Sequence, residues 1–310
     1  MKKCILHLFA IMMFVVGNSC VSSVKFSNDE INLPLVSTKL AIGEFVGVLN
    51  TTVIDVEYSQ ATEVSAELVC PEICKEYLEI KVDKEFMSIS YVEGLDNASR
   101  NELSRSLKHS KLFLSSKTLK NVMVNGSSTF RVNTDLRVES FDAVVNGSGD
   151  INLQGVHCSS NVYVGVNGSG DIDVLREMKA KSITIAVNGS GDVNCEMLTA
   201  YKVAGSVNGS GDLTAKNVVA GNVISQLSGS GDIKVEGKCD EAVISISGSG
   251  DINAKKLVAQ DVVATVTSSG DLSCNAQETL TADVTGSGSI GYLGNPVVAT
   301  KSKKDKVYAL

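Results

Sequence analysis

Seven aspartates recur at nearly constant spacing in the second half of this chain, and they are the residues most able to do chemistry. Asp150, Asp171, Asp192, Asp212, Asp232, Asp251 and Asp271 follow one another at steps of 21, 21, 20, 20, 19 and 20 residues. If each step closes one turn of a stacked array, the carboxylates line one edge, about 4.8 Å apart. Like charges at that distance repel by roughly 1 kcal/mol per neighbour even in water. Two chemistries could relieve the repulsion. Calcium, a hard cation that takes oxygen ligands, could bridge neighbouring carboxylates. Alternatively, each Asp could accept hydrogen bonds from N–H groups of the turn, as Asx residues commonly do.

The elements that must position these residues follow from the repeat. Six copies read Gly-Ser-Gly-Asp, from Gly147–Asp150 to Gly248–Asp251; Ser268–Asp271 is a weakened copy, and Gly126–Ser128 and Gly286–Ser289 are degraded ones. After each Asp comes an aliphatic residue (Ile151, Ile172, Val193, Leu213, Ile233, Ile252, Leu272), then a polar one, then a small or apolar one. Another aliphatic, such as Val187 or Leu227, precedes each turn by two positions. This period-2 alternation, rich in β-branched residues, predicts strands with one buried face. Each rung therefore reads as strand, Gly-Ser-Gly turn, strand and a third short apolar stretch such as Asn217–Ala220. A turn repeated in the same place on every coil would use glycine for positive φ. The expected fold class is all-β: a parallel β-solenoid, or β-helix, with three short strands per coil.

The remaining chain divides around that rod. Residues 1–19 carry Lys2 and Lys3 before an apolar run too short to span a bilayer, and read as a signal peptide. Gly17-Asn18-Ser19-Cys20 looks like a bacterial lipobox, which implies cleavage before Cys20 and lipid on it; the alternative is plain secretion. Residues 20–32 read as a tether, 33–120 as an N-terminal β lead-in and cap, 121–293 as the repeat β-helix, and 294–310 as a frayed tail. Within the cap, Tyr77–Val82 and Phe86–Val92 resemble two arms of a hairpin, and Asp96–His109 reads as a short helix or a loop.

Composition excludes several classes. Losing Lys2 and Lys3 with the signal moves the net charge from −7 to −9, which argues against nucleic acid as a partner. Trp is absent, so the aromatic platforms usual in carbohydrate sites are scarce. Cys195 and Cys274 share one rung position four coils apart, as do Cys158 and Cys239, too far to bridge, so all four read as small core thiols. Cys70 and Cys74 could close a disulfide in a tight turn. The ladder Asn125, Asn146, Asn167, Asn188 and Asn208 reads as stacked amides. His109 and His157 have no carboxylate or nucleophile at a recognisable spacing, and only one rung of the repeat offers a close acidic pair, Asp171 with Asp173.

Asn-Gly-Ser-Gly-Asp followed by Ile, Val or Leu at this period, preceded by Phe45-Val46-Gly47-Val48 and Thr52–Tyr58, resembles the head GIN domain family. Its members carry an auto-transporter adhesin label and are common among Bacteroidota lipoproteins. The resemblance covers roughly residues 40 to 293 and implies a right-handed parallel β-helix on the cell envelope. It supplies no catalytic or ligand residues. The expectation is therefore a lipid-anchored protein of the cell envelope and outer membrane, facing the periplasm or the exterior. Its rod would bind a surface or envelope ligand, glycan or protein, or serve a structural role, without catalysis or an obligatory cofactor. The alternatives are a polysaccharide-active β-helix enzyme and a periplasmic scaffold.

Overall fold

Strands buried on one face need other strands beneath and beside them, and here they find them in their own repeats. The computed structural model describes residues 33–303 and 305–310, so the signal segment and Cys20 lie outside the described residues. The strands stack in parallel as a β-solenoid of about nine turns. Equivalent residues lie in register from coil to coil. Ile172 pairs with Val193, Val193 with Leu213, Leu213 with Ile233, Ile233 with Ile252, and Ile252 with Leu272. That row is fully inside the rod, none of its members more than 2% exposed.

In place of three separate strands per coil, the central coils are single bent strands: Ile172–Val187, Val193–Val207, Leu213–Leu227, Ile233–Ile246, Ile252–Val266 and Leu272–Val284. Corners appear only as local slips in register, as between Val174 and Glu177 or between Ala215 and Val218. Asn217 (φ 48°) and Gly237 (φ 140°) take up the strain at the second of these corners. A corner made by one or two residues interrupts the inter-coil hydrogen bonds so briefly that the strand continues through it.

The repeat glycines have a different task from the one expected. None of the Gly-Ser-Gly glycines has positive φ; among the described glycines only Gly94, Gly237 and Gly294 do. The constraint is close stacking of one turn on the next. A Cβ on Gly189 would lie 1.9 Å from the carbonyl oxygen of Gly168, and one on Gly191 would lie 2.0 Å from that of Gly170. The Gly168 carbonyl accepts hydrogen bonds from both Ser190 N–H (2.9 Å) and Gly191 N–H (3.3 Å) of the next coil. Any side chain would displace the oxygen that holds the coils together.

The rod begins before the repeat and continues past it. Gly47–Asn50 already pairs in parallel with Asn121–Val124, and Asp55–Gln60 pairs with Thr129–Val138. Residues 61–120 are an excursion between these coils. Lys111–Ser116 lies parallel to Asp55–Gln60, then Ser65–Pro71 and Leu35–Lys39 add antiparallel strands beyond it. Leu78–Asp83 and Phe86–Tyr91 form the expected hairpin, turning at Lys84 (φ 47°) and Glu85 (φ 65°). Asn97–Ser106 is a helix, N-capped by Asp96 Oδ1, which accepts from Ser99 N–H at 2.7 Å. Its Leu103 is buried, as is Leu107 just beyond it, together with Phe45, Tyr58, Met87, Phe130 and Phe141 at this end of the core. At the other end the expected frayed tail is a further partial coil. Val297–Ala299 pairs with Leu272–Val284, and Val307–Ala309 pairs with Ile290–Leu293.

Because the Gly189 Cβ would meet backbone that cannot move aside, Gly189→Ala is expected to destabilise the rod by about 2–4 kcal/mol. Ser190→Ala, at the exposed tip of the same turn, should stay within about 0.5 kcal/mol. Urea unfolding of the two variants checks the contrast.

Candidate functional site

The aspartate ladder is assembled by the backbone. At each Asp the chain switches the direction of its inter-coil hydrogen bonds. Ser190 and Gly191 donate to the preceding coil, whereas Val193 N–H donates forward to the Asp212 carbonyl at 3.0 Å. The Asp171 carbonyl likewise accepts from Ile172's counterpart in the coil before, Ile151 N–H, at 2.9 Å. The N–H of Asp192, facing back toward Asp171, therefore meets no carbonyl.

The side chain of Asp171 fills that gap, its Oδ1 accepting the Asp192 N–H at 2.8 Å. The same bond joins Asp150 to Asp171 (3.0 Å), Asp192 to Asp212 (2.8 Å), Asp212 to Asp232 (2.7 Å), Asp232 to Asp251 (2.8 Å) and Asp251 to Asp271 (2.7 Å). Asp271 Oδ1 ends the row by accepting both the N–H and the hydroxyl of Ser289, each at 2.8 Å. The donor to each Asp is thus the equivalent residue one coil on, not an N–H of its own turn. Asp55 performs the same service for Thr129 N–H at 2.8 Å. Sequence reading missed Asp55 because no glycine turn precedes it; its spacing to Thr129, once the early coil is known, is the only signal.

With Oδ1 committed, each rung has a single carboxylate oxygen to offer, against the shell of about six to eight oxygens that calcium takes. Among the described residues no group of three His, Cys, Asp or Glu is placed to hold a metal. The rungs therefore do not fit calcium, and the ladder does the work of a backbone acceptor. Its outer oxygens face an open groove of about 520 Å³ that runs past Asp212, Asp232, Asp251 and Asp271 to Tyr308 and Leu310.

The other candidates fall into place around it. Each Asn of the amide ladder donates Nδ2 to Oδ1 of the one before: Asn146 to Asn125, Asn167 to Asn146, Asn188 to Asn167 and Asn208 to Asn188, all at 2.8–2.9 Å. Asp173 faces outward and accepts from Asn194 Nδ2 at 3.1 Å, so its carboxylate is tied to the next coil and not to Asp171. His109 is exposed after the helix, and His157 Nδ1 lies 3.8 Å from Glu177 Oε2. The six cysteines among the described residues stand as buried thiols, Cys70 and Cys74 included. Burial pushes Cys195, Cys239 and Cys274 up to about 12 and Cys70 and Cys158 up to about 11, far from the range of a reactive thiolate. No helix among the described residues is long and apolar enough to cross a membrane.

A family model described as "Putative auto-transporter adhesin, head GIN domain" matches residues 44–218 and, overlapping them, 184–296. No curated protein matches the chain. Among solved structures, a "putative adhesin" from Parabacteroides merdae is 18% identical, covers 89% of this chain and 96% of its own, and has a TM-score of 0.49. A "putative adhesin" from Parabacteroides distasonis is 21% identical over 90% of this chain and 98% of its own, with a TM-score of 0.49. A "Putative lipid binding protein" from the same species is 22% identical over 89% and 97%, with a TM-score of 0.47.

Two outcomes follow from the ladder and the thiols. Asp192→Ala leaves the Asp212 N–H without its protein acceptor, so a loss of about 0.5–1.5 kcal/mol is expected, with faster hydrogen exchange at the Asp212 amide. Asp192→Asn keeps the acceptor oxygen and should stay within about 0.5 kcal/mol, and added calcium should not raise the melting temperature of the wild type. Iodoacetamide at neutral pH should label none of Cys158, Cys195, Cys239 and Cys274 until denaturant is added; mass spectrometry reads the adducts.

Proposed function

This chain belongs to the family described as "Putative auto-transporter adhesin, head GIN domain", and on that footing we propose that it is a lipid-anchored, non-catalytic binding protein of the cell envelope. The observation that carries the reading is the lateral surface of the rod. It repeats the same outward positions in register over successive coils, as in Asp173, Asn194, Thr214, Lys234 and Asn253. Solenoids use such extended surfaces to hold ligands by many weak contacts at a common pitch. The carboxylates most suited to acid–base work are occupied as backbone acceptors, which supports binding over hydrolysis.

In this reading Cys20 carries the lipid, and residues 21–32 hold the rod off an outer membrane facing the exterior. Two or three acyl chains, at about 0.8 kcal/mol per buried methylene, suffice for a stable anchor. Cys20→Ser is expected to abolish palmitate incorporation and move the protein from the membrane to the soluble fraction. Proteinase added to intact cells should degrade the wild type. Protection of the rod until the outer membrane is opened would overturn the adhesive reading in favour of a periplasmic scaffold.

A further inference from the structure

The charge of the rod is unevenly placed. Although the chain carries a net −7, residues 100–137 contain eight Lys and Arg against two carboxylates, Glu102 and Asp135. The fold sets one of these residues, Arg137, in a row with His157 and Lys179 of the following coils. Arg137 lies in register with His157, and His157 with Lys179, on three successive coils. Consecutive members are thus about 4.8 Å apart along the axis. An open groove of about 520 Å³ runs beside them, lined by Lys120, Arg137, His157, Thr118 and Ser159, with Glu139 as its one carboxylate.

Two features mark this row as built. Some lysines elsewhere on the rod are matched by carboxylates, Lys111 by Glu57 at 3.1 Å, Lys216 by Glu196 at 2.7 Å and Lys234 by Glu236 at 3.0 Å, while others such as Lys202 and Lys238 are not. Among the described residues no ion pair engages Lys120, Arg137 or Lys179, and the middle member of the row, His157, has Glu177 Oε2 at 3.8 Å from its Nδ1. The backbone beneath is also fixed from outside the ladder. Gln60 accepts the Arg137 N–H at 2.8 Å, and its amide donates to the carbonyls of Arg137 (3.1 Å) and Lys117 (2.8 Å). One carboxamide thereby stands in for a missing strand and holds the Lys117–Lys120 loop against the cationic row.

We propose that Lys120, Arg137, His157 and Lys179 bind a linear anionic glycan, one bearing carboxylates along its length, laid parallel to the rod axis. The inference rests on the surface-binding reading above and names its ligand class. A straight row at rung pitch suits a ligand whose charges also repeat. A compact anion would need donors converging on one point, whereas the rung amides here are spent on the inter-coil ladder. A nucleic acid would also present repeating charge, but single-stranded sites rely on aromatic platforms. The exposed aromatics among the described residues are Phe113, Tyr201 and Tyr308, and none lines this groove. Binding through exposed charges weakens with salt.

The test titrates alginate oligomers of increasing length into the protein at low and high salt, with neutral dextran as control and single-stranded DNA as competitor. Alginate should bind, more tightly with length and less tightly with salt, while dextran does not. The triple variant Lys120→Gln, Arg137→Gln, Lys179→Gln should lose about tenfold or more in affinity at an unchanged melting temperature. Arg137→Lys should retain binding, and Lys255→Gln with Lys256→Gln on another face should not alter it. Absence of alginate binding, binding untouched by the triple variant, or displacement by DNA at equal or lower concentration would each overturn the proposal. The outcomes separate it from the adhesive reading. A protein degraded on intact cells that ignores alginate leaves adhesion standing without this ligand. One protected on intact cells that binds alginate keeps the site and loses the adhesive role.

Discussion

One backbone amide per coil, that of the Asp, faces a neighbouring coil that has no carbonyl to give it. Leaving that N–H without an intramolecular acceptor forfeits about 0.5–1.5 kcal/mol, and the loss would recur with every turn of the rod. The carboxylate of the preceding coil removes it, and so the side chain of one repeat completes the main-chain bonding of the next. The two glycines of the turn obey a companion constraint, since the carbonyl that accepts two N–H groups sits where a Cβ would be. Together these explain why the motif is four residues long and nearly invariant along the chain while its flanks vary.

The same logic shows what the sequence could and could not disclose. Period, strand character and the inward rows were legible because alternation and repetition are local patterns, and Ile151 through Leu272 are buried as that pattern requires. The reason for the glycines was not legible. Positive φ and close approach both select glycine, and only the position of the Gly168 oxygen distinguishes them. The early coil was hidden for a related cause. Its turn, Asn50–Ile54, is built without glycine, by a buried Asn50 that bonds Thr52, Ile54 and Ser128. With no ruler mark there, Asp55 looked like one polar residue in an alternating strand, although it accepts the Thr129 N–H just as the ladder aspartates accept theirs. The last coil escaped notice because lysines crowd the loop at residues 300–306, and charge reads as solvation when the pairing partner, Leu272–Val284, is distant in sequence.

The ends of the rod differ because they face different problems. At the N-terminal end the stack would expose a coil's interior, and the chain covers it with an excursion of about sixty residues. Large side chains fill the wider space there: Phe45, Tyr58, Phe130 and Phe141 are all buried, and the Tyr58 hydroxyl donates to the Ser116 carbonyl at 3.0 Å. Toward the other end the inward positions mix alanines, such as Ala254, Ala264 and Ala282, with Ile252, Leu257, Leu272 and Leu280. The pitch is set by hydrogen bonds and cannot vary, so differences in the cross-section are absorbed by side-chain size.

Separating pitch from composition in this way leaves the outward positions free of folding duties. An outward residue touches its counterparts one coil above and below and little else, so substitutions along a row change charge and shape without changing the register. Chemistry on such a rod is therefore written as rows rather than as convergent pockets. Where a row is balanced, as at Glu196 and Lys216, it contributes modestly to stability and presents no net charge. Where a row is left unbalanced on a rigid backbone, as at Arg137 and Lys179 with His157 between them, the uncompensated field is fixed in direction and its steps are set by the inter-coil spacing. The pitch that the Asp ladder enforces on the main chain then becomes the pitch at which a ligand is met. Acceptor ladder and cationic row are consequences of one spacing, the first used inward to close the backbone and the second turned outward.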